Sequence, residues 1–310
     1  MGNIDSLNKT KSKFTNFKSK ANLDNIKSKY ILKQIFNILS KKKTLELIKY
    51  NKNNQEKLNL SIKDIKDYSE KYTPIEIEII PVKNKYVQFI NIIEEEEQYY
   101  HIFFNNCKEE VKRKYINYDE KINSIKVIVD YQVDSFELLF EAFPGIEYIT
   151  FKKFYRNNIK NMSSMFFYCS SLKKINFLSF RTDNVTDMKE MFLGCSALKE
   201  LDVSKFKTEN VTNMTKMFGG CSSLKKLNLS NFNFNNVNDL TQMFNGCSSL
   251  NELIISNFNL REECIITGIF SKCSDKLKNR IKNKFKNIKD EAFEDIGIAL
   301  NIEEDEFDID

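Results

Sequence analysis

Between Ser135 and Leu260 the apolar positions recur with a period of 26 residues. Cys169, Cys195, Cys221, Cys247 and Cys273 each stand 26 residues after the one before, and "NVTDMKEMFLGCSALKELDVSKF" returns one period later as "NVTNMTKMFGGCSSLKKLNLSNF". Five ungapped units cover 135–160, 161–186, 187–212, 213–238 and 239–264, with a truncated unit from Ile265. The first unit is diverged, with Phe143 in the cysteine column and Pro144-Gly145 in place of Ser-Ser. Each unit opens on a residue suited to cap a helix: Ser135, Asn161, Asp187, Asn213 or Asp239. Met188, Met191 and Phe192, at i, i+3 and i+4, predict a short helical turn, which Gly194, Gly220 and Gly246 end in their units. Leu198, Leu201 and Val203 then predict a short strand, and Phe206 and Val211 close the unit from a polar loop.

A single unit is too short to bury a core of its own, so the units are expected to stack and shield one another. The fold class this predicts is an α/β solenoid over 135–275, with short parallel strands on one face and short helical turns on the other.

Outside the array the pattern changes. Residues 1–23 read as a disordered basic tail and 24–71 as a helical segment, with Ile31, Ile35 and Leu39 in helical spacing. Residues 72–134 read as a β-rich N-terminal cap: Ile75, Ile77 and Ile79 alternate with Glu76 and Glu78, and further runs lie at 86–92, 99–104, 114–118 and 125–129. Residues 276–300 read as a helical C-terminal cap and 301–310 as an acidic tail.

Charge and composition narrow the function classes. The 310 residues carry 48 Lys and Arg against 43 Asp and Glu, but residues 1–60 hold 14 Lys and four acids, so the basic excess sits at the front. No run is long and apolar enough for a membrane span, and the N-terminus lacks the apolar core of a secretory signal. Seven Cys make no disulfide framework, and one His with no Trp leaves little for metal or acid–base chemistry. No cofactor, metal or catalytic residue is expected, since His101 stands alone on a β-like run.

The repeat phrase resembles the BspA-like leucine-rich repeats, in the variant known as the bacterial surface protein 26-residue repeat. The match is close over 161–260 and loose over 135–160. That resemblance implies a leucine-rich-repeat-like solenoid used for binding and adhesion, with no catalytic residues, and a family found on bacterial surface proteins and, expanded, in protists. The missing signal peptide departs from the surface members.

The candidate binding surface is the outward side of the strands. One column runs Tyr148, Lys174, Glu200, Lys226 and Glu252; the next runs Thr150, Asn176, Asp202, Asn228 and Ile254. The competing reading is that alternating Lys and Glu neutralise one another across strands. The start "MGNIDS" fits a myristoylation motif at Gly2, and Lys9, Lys11, Lys13, Lys18 and Lys20 would add attraction to an anionic membrane surface; the alternative is a chance match in a polar tail. The cysteine column reads as reduced core thiols, because in-line neighbours one strand apart suit neither disulfides nor a tetrahedral cage. Sequons at Asn161, Asn184, Asn210, Asn213 and Asn228 fall in capping and loop columns and read as structural. Nucleic acid is not the expected partner, with only Phe14 and Phe17 as aromatics in the basic arm. The expected function is a non-enzymatic protein-interaction module with a protein ligand, tethered through its N-terminus at the inner membrane surface. The alternatives are a surface adhesin exported without a classical signal, and an F-box-like ubiquitin-ligase adaptor suggested by "IFNILS" at 35–40.

Overall fold

The computed structural model describes residues 28–39, 47–48, 51–59, 61, 63, 66–67, 70, 72–83 and 85–296. Gly2, the five tail lysines and the acidic tail lie outside them. The chain divides into two compact units, Met1–Tyr72 and Thr73–Asp310.

In the first unit, helix α1 (Lys29–Ile38) starts where the Ser28 hydroxyl accepts the Ile31 amide at 3.4 Å. It buries Leu32 against Ile48, with Leu39, Leu47 and Leu58 packed around them. A short helix α2 (Lys52–Lys57) is capped by Asn51, whose Oδ1 accepts the Asn54 amide at 3.0 Å.

The second unit begins with β1 (Ile75–Pro81), β2 (Val87–Gln88), β3 (Tyr100–Phe104), β4 (Tyr115–Ile116), β5 (Ile125–Val129) and β6 (Ile146–Lys153). The largest sheet has the order β3-β5-β1-β6-β7, where β7 is Lys174–Asn176. Ile75, Ile77 and Ile79 pair with Val129, Val127 and Ile125, and all six are fully buried. The alternate residues of β1 point outward, where Glu76 and Glu78 meet Lys153 and Lys152, each at 2.9 Å. β2 and β4 form a separate two-stranded pair.

The fold class expected from the sequence, an α/β solenoid of parallel strands and helical turns, is corrected here. The principal sheet is mixed and mostly antiparallel, and among the described residues parallel pairing between strands is limited to β6–β7 and to β8 (Lys226–Asn228) with β9 (Glu252–Ile254). Among the described residues the 26-residue units contain no α-helix. The reason lies in where the amides go. The N–H groups of Met188, Glu190, Phe192 and Gly194 donate to the carbonyls of Asn213, Thr215, Met217 and Gly219, each 25 residues ahead, at 2.8–3.0 Å. Between them run tight turns, such as Leu193 N–H to Glu190 C=O at 3.0 Å. A helix would have sent the Phe192 amide to Met188 instead. Each unit also holds two left-handed residues four apart, Glu190 (φ 57°) and Gly194 (φ 75°) in the third. The anticipated N-cap residues do accept amides, Asp187 Oδ1 from Lys189 at 2.8 Å, but they open a turn, not a helix.

Consecutive units meet through isolated parallel bridges, Ser135 to Asn161, then Asp187, Asn213, Asp239 and Ile265. Side chains follow the same spacing. The rings of Phe140, Phe166, Phe192, Phe218, Phe244 and Phe270 stack at 5.4–5.7 Å between centroids, within 12° of parallel. Phe293 continues the column at 5.5 Å from Phe270, and the backbone of Glu291 and Ala292 accepts the Gly268 and Phe270 amides. Helix α3 (Asp275–Lys284), capped by Ser274, follows the units and buries Leu277 and Ile281.

Candidate functional site

Inward Ile149, Ile175, Leu201, Leu227 and Leu253 are buried, so the residues between them face out. Tyr148, Lys174, Glu200, Lys226, Asn176, Asp202 and Asn228 are exposed, and Glu252 is half-buried. Pairing brings Tyr148 beside Lys174, Thr150 beside Asn176, Glu200 beside Lys226, Lys226 beside Glu252, and Asn228 beside Ile254.

The ladder is interrupted once. No bridge joins Lys174–Asn176 to Glu200–Asp202 among the described residues. A cavity of about 350 Å³ opens at that break, and Lys174, Asn176, Glu200 and Asp202 line it together with Leu178 and Lys205. The break falls beside Phe177, which stands in the column of Val203 and Leu229 and packs edge-on against Phe206 at 5.0 Å.

Charge neutralisation across strands is confined to one pair of this column. Lys226 Nζ lies 2.8 Å from Glu252 Oε1. Among the described residues Lys174 and Glu200 have no ion-pair partner, though Lys173 and Glu147 pair beside them at 2.7 Å. The Ser204 hydroxyl and amide lower the Asp202 carboxyl below its ordinary value; the amide lies 2.9 Å away. Asp202 therefore stays charged, and the cavity carries two cations, two anions, an amide and an exposed leucine.

Leu178 and Lys205 were not anticipated. Leu178 is 58% exposed and occupies a column otherwise held by Lys152, Ser204, Ser230 and Ser256; that departure within the repeat was the signal. His101 also differs from expectation, since it lies between Glu110 Oε1 at 3.1 Å and Asp130 Oδ2 at 3.5 Å. The sequon asparagines are committed: Asn161 donates Nδ2 to Glu137 Oε2 at 3.0 Å, Asn184 and Asn210 donate Nδ2 to the carbonyls of Asn157 and Asp183 at 2.8 and 2.7 Å, and Asn213 and Asn228 accept the Thr215 and Ser230 amides, each at 3.0 Å.

All seven cysteines are free; Cys107 is exposed and the other six are buried. Burial pushes the thiols of Cys169 and Cys221 up to about 12. Among the described residues no group of His, Cys, Asp and Glu is placed to hold a metal ion, and no helix is long and apolar enough to cross a membrane.

Residues 134–258 and 160–285 each match a family model described as a Mycoplasma protein of unknown function, DUF285. The two matches begin 26 residues apart, one repeat unit. No curated protein and no solved structure matches the chain.

Proposed function

We propose that this chain is a non-enzymatic protein-interaction module whose contact surface is the outward strand face, centred on the cavity between Lys174–Asn176 and Glu200–Asp202. The observation that carries this reading is the convergence of Lys174, Asn176, Glu200 and Asp202 on one cavity where two of the charges are left without partners. A partner's complementary charges would find Lys174 and Glu200 uncommitted, and Leu178 offers an apolar contact between them. The basic N-terminal stretch, with Gly2 as a lipidation site, would hold the module at an anionic membrane surface.

Affinity capture from the native host with wild type, Lys174→Glu and Glu200→Lys tests the reading. The reversals are expected to abolish capture of proteins that wild type retains, with an unchanged melting midpoint. A captured set identical across the three proteins removes the strand face as the site. Fractionation of the host with and without Gly2→Ala tests the tether separately; an unaltered membrane share rejects it.

A further inference from the structure

The polar loops that close the units form a second stack, and its last layer is uncovered. Phe154, Phe180, Phe206, Phe232 and Phe258 stand 26 residues apart, and the first four are buried with centroids 4.5, 5.3 and 6.4 Å from one to the next. Two of the earlier loops are tied to the next by a threonine. Thr182 Oγ1 donates to the Lys207 carbonyl at 2.8 Å and accepts the Lys207 amide at 2.7 Å; Thr208 treats Asn233 the same way at 3.1 and 2.7 Å. In the fourth unit Phe234 takes the place of the threonine, and the tie ends there. Phe258 and Leu260 are only half-buried, and Phe285, after α3, covers Phe258 from one side at 5.5 Å.

A groove of about 600 Å³ remains where a further loop would lie. Phe258, Leu260, Phe285 and Ile288 form an apolar floor, and Arg261, Lys284, Lys286 and Lys289 form a cationic rim on which Glu262 is the one acid among the described lining residues. The rim charges are largely uncompensated. Arg261 is held by neutral Asn236 Oδ1 at 2.7 Å, Lys284 by the Ile255 carbonyl at 2.6 Å, and Lys289 reaches Glu291 only at 3.8 Å. Lys286 has no ion-pair partner among the described residues, and the backbone of Asn259 makes no hydrogen bond among them.

We propose that this groove binds an acidic peptide segment carrying aromatic or branched apolar side chains. The site is distinct from the strand face and does not rest on it. Every preceding layer of this stack is itself a peptide loop with an apolar residue over the one beneath, so a peptide is the shape the end layer accepts. The cationic rim selects acidic flanks.

The test uses the full chain and a fluorescein-labelled peptide alternating Asp or Glu with Phe or Leu, followed by fluorescence anisotropy. Saturable binding is expected, weakening steeply between about 50 and about 300 mM salt. Lys286→Glu with Lys289→Glu should weaken it by about tenfold or more at an unchanged melting midpoint, as should replacing the peptide's Phe and Leu with Ser. Lys174→Glu, and alanine at Lys9, Lys11, Lys13, Lys18 and Lys20, should leave it unchanged. The proposal is overturned if the rim variant binds like wild type, if the Ser peptide binds equally, or if the tail lysines account for the binding. It is equally overturned if anionic vesicles or a single-stranded oligonucleotide, and not the peptide, require Lys286 and Lys289.

Discussion

The thiol of Cys195 donates a hydrogen bond to the carbonyl oxygen of Phe166, 29 residues earlier, at 3.1 Å. The same link joins Cys169 to Phe140, Cys221 to Phe192, Cys247 to Phe218 and Cys273 to Phe244, at 2.8–3.2 Å. Each cysteine thus fills a dry site with a small apolar body while its one weak donor satisfies the layer before.

Thiol reactivity follows from this. Cys107 is exposed, whereas burial raises the pKa of Cys169 and Cys221 to about 12 and holds that of Cys195 and Cys247 well above the ordinary thiol value. At about pH 8 a disulfide reagent should therefore label Cys107 quickly and the repeat cysteines only after denaturation. Fast labelling of Cys195 in the native protein contradicts the buried arrangement.

The hydroxyl of Thr208 is fully buried and serves both the amide and the carbonyl of Asn233. Thr208→Val keeps the shape and strands both backbone groups. The expected loss is about 1–3 kcal/mol, read from denaturant unfolding. Thr186→Val, whose hydroxyl bonds at the surface to Lys160, should cost less than Thr208→Val.

Gly145 is required by a neighbour. A Cβ there would run into the methyl groups of Val87. Gly145→Ala should destabilise by about 1–3 kcal/mol, and Val87→Ala should restore part of that in the double variant. A double-mutant cycle that shows strict additivity would deny the contact.

Asp183 sets an acid limit. The Arg181 guanidinium at 2.9 Å, and then Lys207 at 2.9 Å, hold its carboxyl down to about 2. A carboxyl depressed in the folded state stabilises it above the unfolded value, and that contribution fades as pH falls toward the folded value. Asp183→Asn should therefore melt below wild type near neutrality, and the gap should close between about pH 4 and about pH 2. A gap of constant size across that range would refute the assignment.

The inward columns were legible from spacing alone: Met188, Met191, Phe192, Cys195 and Leu198 are fully buried, as the repeat pattern implied. The conformation of that segment was not. Met188, Met191 and Phe192 at i, i+3 and i+4 also fit successive turns that return every third or fourth side chain to one side. What separates this from a helix is the destination of the Phe192 amide, the carbonyl of Met217, which no local pattern encodes. Left-handed Glu190 and Lys216 hid it further, since neither residue type signals positive φ. The alternation of Ile75, Ile77 and Ile79 was readable because one face of β1 is wholly dry. The antiparallel order that makes β1 the centre of the largest sheet was not, because pairing is set by contacts distant in the chain. Lys174 and Glu200 were found in one column and Asn176 and Asp202 in the next, yet the missing bridge that turns them into a cavity lies in strand pairing that no local pattern encodes.

The 26-residue reach of the backbone has a consequence for how such a chain can change in length. The Gly194 amide is answered 25 residues ahead by Gly219, while the Thr212 amide is answered 26 residues behind by Thr186. One extra residue between Gly194 and Thr212 would throw the later partners out of phase and misalign phenylalanine, cysteine and threonine together. Only the gain or loss of an entire period leaves the files in step, so this architecture evolves in whole increments, as a word lengthens by syllables and not by letters.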